Sequence, residues 1–183
     1  GPFVIGYEEA LGYSIGPVVR DKDGVSAILI FLDLAAWCKA QGKTIFSHLV
    51  ELYRKYGYFE NVQVSTVLRG SEGAKQIVEI MDRFRQDPPT EIAGLAVRRI
   101  RDVQTSQWRE PATGETGVVD LPVSNVLAFD LDGGCRVLVR PSGTEPKIKF
   151  YFEAREALGK DESLAEVEVR AKAKVQRLVD DIR

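Results

Sequence analysis

The chain has 183 residues, 44% of them hydrophobic, with 25 Lys and Arg against 27 Asp and Glu, a net charge of -2 and a pI near 5.6. That composition supplies a core and gives no general attraction to nucleic acid, so any basic site is local. The longest apolar run, residues 27–36, is interrupted by Asp33 and too short to span a bilayer, and the single histidine, His48, excludes a multi-histidine metal site and is expected to be structural. With Cys38 and Cys135 far apart, in no metal-ligand spacing, and no signal peptide in view, the expected setting is the reducing cytoplasm.

The first element, Phe3-Val4-Ile5, reads as a buried strand entering a glycine-bounded loop, residues 6–12, that carries Glu8 and Glu9. Nothing precedes it to supply neighbouring strands, and a lone edge strand is marginal in water, which suggests a fragment beginning inside a domain. Arg20-Asp21-Lys22-Asp23-Gly24 then packs four charges before a helix that Asp23 is placed to cap. Over residues 25–40 apolar side chains cover nearly the whole helical circumference, so this helix is expected to be buried on several sides. A second helix starts near Thr44, with Ile45, Leu49, Leu52 and Tyr56 as its stripe.

At about residue 59 the pattern turns from helical to alternating. Residues 1–59 therefore read as part of an α/β domain dominated by helices, and 60–183 as a separate domain. In the second, 61–68 is a strand, and a helix follows with Ala74, Ile77, Met81 and Phe84 inward, stopped by Pro88-Pro89. A strand spans 96–102, and 103–122 reads as a long loop or irregular hairpin. Strands at 125–131 and 136–140 are joined across Asp132-Gly133-Gly134, and a last helix opens on the capping box Ser163-Leu164-Ala165-Glu166. The expected class is α+β, an antiparallel sheet with two helices on one face.

One stretch exceeds what folding needs: Arg140-Pro141-Ser142-Gly143-Thr144-Glu145-Pro146-Lys147-Ile148-Lys149, at a strand-to-strand corner. Gly143 permits unusual backbone, Ser142 and Thr144 offer hydroxyls, Arg140 offers a planar fork, and Lys147 and Lys149 add charges on one strand face. The composition fits a phosphate cradle, and equally an ordinary turn. It is not a Walker A loop, because the Gly-Lys-Ser/Thr ending and the following helix are missing. Glu8 and Glu9 suit sugar hydroxyls, or are solvated loop charges.

The Arg-Pro-Ser-Gly-Thr-Glu-Pro-Lys run resembles the C-terminal phosphate-binding loop of the α-D-phosphohexomutases, the phosphoglucomutase/phosphomannomutase family. Gly6-Tyr7-Glu8-Glu9-Ala10-Leu11-Gly12-Tyr13 resembles the family's sugar-specificity loop, and Arg20-Asp21-Lys22-Asp23-Gly24 the segment after it. The resemblance implies residues 1–59 as the end of the third domain and 60–183 as the fourth, of the TATA-binding-protein-like kind. It implies phosphoryl transfer between the 1- and 6-positions of a hexose through a hexose 1,6-bisphosphate. Arg140, Ser142, Gly143, Thr144 and Lys149 then hold the non-reacting phosphate, Glu8 and Glu9 the sugar, and Lys22 is a candidate electrostatic or acid/base group.

Ala10 stands where many members carry Ser, and the Gly-Tyr-Glu-Glu form points to phosphoglucomutase. The family's phosphoserine and Mg²⁺-binding loops have no counterpart in the sequence. The expected partners are hexose phosphate and the missing N-terminal domains of an intact parent, with no nucleic acid and no membrane, and this chain alone is expected to be inactive. The alternative is a non-enzymatic module that binds phosphate or sugar phosphate.

Overall fold

A computed structural model describes residues 3–8, 11–143 and 145–182. It divides into two units, Gly1–Lys55 and Tyr56–Arg183, which are taken in turn.

In the first unit, strands β1 (Ile5–Glu8) and β2 (Gly12–Ile15) form an antiparallel ribbon with Ile5 opposite Ile15 and Glu8 opposite Gly12. The loop expected after a buried strand is therefore strand as far as Glu8. Ile5 is 55% exposed, because among the described residues no further strand pairs with the ribbon. Helix α1 (Gly24–Ala40) starts as expected on Asp23, whose carboxylate accepts from the N–H of Val25 at 3.0 Å and of Ser26 at 3.4 Å. Its expected burial is not seen: within the unit only Cys38 of α1 is buried, while Ile28, Leu29, Phe31 and Leu32 are all more than half exposed. An all-round apolar helix needs neighbours on several sides, and the described part of the unit does not surround it.

Helix α2 (Ile45–Tyr56) opens with a reciprocal cap in which Thr44 Oγ1 accepts from Ser47 N–H and Ser47 Oγ from Thr44 N–H, both at 3.0 Å. His48 packs edge-on against Trp37, ring centres 5.1 Å apart, in the structural role expected. No single helix among the described residues is long and apolar enough to cross a membrane.

The second unit is an antiparallel sheet with two helices on one face. Its elements are β3 (Tyr58–Val67), α3 (Gly70–Gln86), β4 (Glu91–Ile92), β5 (Leu95–Asp102), β6 (Gln107–Arg109), β7 (Thr116–Val118), β8 (Leu127–Leu131), β9 (Arg136–Pro141), β10 (Lys147–Glu156) and α4 (Leu164–Ile182). The order across the sheet is β3-β10-β9-β8-β5-β6-β7, with β4 on β5. The two-residue period sends Val137 and Val139 of β9 and Ile148, Phe152 and Ala154 of β10 into the core, against Ile77 and Met81 of α3 and Val175, Leu178 and Val179 of α4. Phe129 is fully buried and its ring meets Phe84 at 5.8 Å.

Local signals are realised closely. Gly133 and Gly134 take positive φ in the β8–β9 turn. Ser163 and Glu166 close their capping box, Glu166 Oε2 accepting from Ser163 N–H at 2.9 Å and Ser163 Oγ from Glu166 N–H at 3.3 Å. The stretch 103–122, read as a long loop or irregular hairpin, contains the β6–β7 hairpin. Gly117 makes that hairpin possible, as a Cβ there would lie 2.5 Å from the Trp108 ring.

At the far end of β10 the Glu156 carboxylate, 12% exposed, accepts from Arg170 Nε at 2.8 Å and pairs with Lys174. Burial pushes this carboxyl up, but Arg170 and Lys174 together outweigh it and hold it below the usual glutamate range. A folded value below the unfolded one stabilises fully above the ordinary glutamate pKa and is lost as pH falls through the folded value. Glu156→Gln is therefore expected to cost about 1–3 kcal/mol at neutral pH. Urea denaturation should show the gap from the unsubstituted chain narrowing below about pH 4.

Candidate functional site

The strand pair β9–β10 positions the first group of residues. Arg140 and Lys149 are directly opposed partners on the sheet face turned away from the core. Like charges directly across an antiparallel pair destabilise it. Neither has an ion-pair partner among the described residues, although acids are abundant in the chain. Such an arrangement weakens the fold and suits an incoming anion.

Between the strands, Ser142 N–H donates to the Lys147 carbonyl at 2.8 Å, and Lys147 N–H donates to the Glu145 carbonyl at 2.7 Å. The Ser142 amide thus closes the loop, and its hydroxyl has no hydrogen-bond partner among the described residues. Gly143 has no positive φ, contrary to the expectation that it supplies unusual backbone; a Cβ there would meet nothing within 4 Å. What glycine provides at this position is open space. Thr144 lies outside the described residues.

Sequence reading missed the Glu145 carboxylate, which forms an ion pair with Lys147. Lys147 first, and Lys149 at longer range, hold the Glu145 carboxyl below its usual range. The available signal was opposite charge two residues apart at a loop-to-strand junction.

In the first unit the structure brings Glu8 and Lys22 together. The Lys22 ammonium is 3.5 Å from Glu8 Oε2 and 3.2 Å from Asp21 Oδ1, beside a cleft of about 300 Å³ that Glu8, Tyr13, Arg20 and Lys22 help to line. Asp21 first, then Glu8, raises the Lys22 amine above the ordinary lysine value. At neutral pH it is a fixed cation, which fits electrostatic work and disfavours a role as general base. Glu9 lies outside the described residues.

Lys22 reaches Glu8 by crossing Gly12, a second residue that sequence reading missed. A Cβ at Gly12 would stand 2.3 Å from Lys22 Cδ and 2.7 Å from Cγ. Gly12→Ala is accordingly expected to displace the Lys22 side chain. NMR should show loss of the Lys22–Glu8 proximity while the β1–β2 pairing survives.

A family model of the phosphoglucomutase/phosphomannomutase C-terminal domain matches residues 78–171. The chain belongs to the phosphoglucomutase/phosphomannomutase family. The Arg140 loop lies within that match. Among curated relatives, the chain is 41% identical over 160 residues to a probable phosphomannomutase of Haemophilus influenzae, covering 86% of this chain and 29% of the relative. It is 40% identical over 152 residues to the phosphoglucomutase of Staphylococcus aureus strain MRSA252, covering 83% of this chain and 27% of the relative.

The chain thus spans less than a third of the length of these relatives. Its fold is similar to the open form of pp63/parafusin, a phosphoglucomutase from Paramecium, with a TM-score of 0.53 and 19% identity over 96% of this chain and 30% of that one. Among the described residues no group of three His, Cys, Asp or Glu side chains is placed to hold a metal ion.

Proposed function

We propose that this chain is the C-terminal portion of a phosphohexomutase, with phosphoglucomutase the favoured activity, and that its task is to hold a hexose phosphate while chemistry proceeds on residues outside it. Residues 1–59 correspond on this reading to the end of the family's third domain and 60–183 to the fourth. The observation that carries the proposal is the opposed Arg140–Lys149 pair, with no direct ion-pair partner among the described residues, beside Ser142 and the open space at Gly143.

The non-reacting phosphate of the substrate, and of the hexose 1,6-bisphosphate intermediate, accepts hydrogen bonds from Arg140, Ser142, Gly143, Thr144 and Lys149. Glu8 and Glu9 accept from sugar hydroxyls, and Lys22 contributes positive charge near the transferring group. Phosphoryl transfer depends mainly on positioning and electrostatics, so fixing one phosphate and the ring orients the other end of the sugar for in-line attack. The Mg²⁺ and phosphoserine of the reaction are assigned on this reading to the remainder of the parent; among the described residues no group of three His, Cys, Asp or Glu side chains is placed to hold a metal ion. That remainder also supplies cover for the exposed apolar side chains of α1. The parent is taken as cytoplasmic, where two free cysteines stay reduced.

A coupled assay tests this directly. Given glucose 1-phosphate, hexose 1,6-bisphosphate and Mg²⁺, the 183-residue chain is expected to form no glucose 6-phosphate, whereas its full-length parent turns over. Turnover by the chain alone would overturn the division of labour.

A further inference from the structure

The corner loop contains its own anion. Lys147 and Lys149 lie two residues apart on the outward face of β10, with Arg140 opposite Lys149. Into this group of three cations the short 145–147 turn, fixed by the Lys147 N–H to Glu145 carbonyl hydrogen bond, delivers the Glu145 carboxylate. Its side chain is 58% exposed and that of Lys147 23%, so the carboxylate end of the pair is open to solvent. Lys149 also acts on Glu145, at longer range. A carboxylate and a phosphate present the same kind of oxygen to a lysine, and two anions brought to one ammonium repel each other.

We propose that Glu145 is an internal competitor of the bound phosphate: it occupies Lys147 in the ligand-free loop and is displaced by a phosphate dianion, for which Lys147 then becomes a further contact. The inference rests on the Arg140 loop being the phosphate site and adds a selectivity device to it. A monoanion brings too little charge to displace the carboxylate, whereas a dianion gains from Arg140, Lys147 and Lys149 together. Discrimination arises from an attraction that the wrong ligand fails to replace. The exchange is easy because an exposed ion pair is weak and its loss is readily offset.

Titration of the whole chain with inorganic phosphate, followed by backbone NMR shifts of residues 142–149, tests the proposal. Glu145→Gln keeps the size of the side chain and removes its charge. It is expected to tighten phosphate binding about three- to tenfold. Lys147→Gln should weaken binding, and the Glu145→Gln/Lys147→Gln double variant should bind like Lys147→Gln alone, because the competitor acts through that lysine. Acetate, a monoanion, should shift these resonances only in the Glu145→Gln chain.

Unchanged or weaker phosphate binding in Glu145→Gln, with the unsubstituted chain binding and Arg140→Ala abolishing it, overturns the competitor and leaves the phosphate site standing. Absence of saturable shifts in both the unsubstituted chain and Glu145→Gln overturns the site and the competitor together.

Discussion

Replacing Arg140 by Ala should weaken binding of a sugar phosphate by one to two orders of magnitude while leaving the fold intact or slightly more stable. The loss follows from removing charge-assisted hydrogen bonds, worth about 1.5–3 kcal/mol to an ionised partner. The unchanged or improved stability follows from the register: Arg140 faces Lys149 across β9 and β10, and neither forms a direct ion pair among the described residues, Glu145 acting on Lys149 only at longer range. Removing one of two opposed like charges should stabilise the strand pair by up to about 1 kcal/mol. A residue serving only the turn behaves otherwise, its loss costing stability and leaving phosphate binding where it was. Calorimetric titration with glucose 1-phosphate and urea denaturation of the same variant separate the two cases.

The opposite pattern is expected of Phe129→Ala. Phe129 is wholly buried on β8 and packs on Phe84 of α3, so truncation removes a ring and leaves a cavity bounded by helix and sheet. The expected cost is about 3–5 kcal/mol, a large share of the roughly 5–15 kcal/mol that holds a domain together. With a urea slope of about 1–3 kcal/mol per molar, the midpoint should fall by at least about 1 M. Phosphate binding should be lost together with structure, because Val139 and Ile148, which flank the loop, belong to the same core. A fall of less than about 1 kcal/mol would mean that the core does not close around Phe129.

What was legible in the sequence was local. The Ser163 capping box, the Asp23 cap and the paired glycines of the β8–β9 turn each depend on residues within four positions, and alternation in β9 and β10 separated the core face from the basic face without any tertiary information. The α+β class followed from these elements. Features set by distant partners were not legible. Gly117 earns its place through Trp108, nine positions earlier, and nothing in a Thr- and Gly-rich stretch announces that contact. Gly12 is required because Lys22 crosses it.

The apolar circumference of α1 leads to an expectation of burial that the described part of the first unit does not meet, because composition does not say which segment would surround the helix. In the candidate site, Arg140 and Lys149 were readable as cations near a turn. That they are cross-strand partners with no direct ion pair among the described residues, and that Glu145 occupies Lys147, depends on a register fixed only when β9 and β10 pair.

The most direct test of the phosphate site is an NMR titration of the chain with glucose 1-phosphate, glucose alone serving as the control. Saturable shifts confined to the Ser142–Lys149 loop, absent with glucose and absent in Arg140→Ala, are the predicted result. Equal shifts in the Arg140→Ala chain, or none at the loop at millimolar ligand, would contradict it.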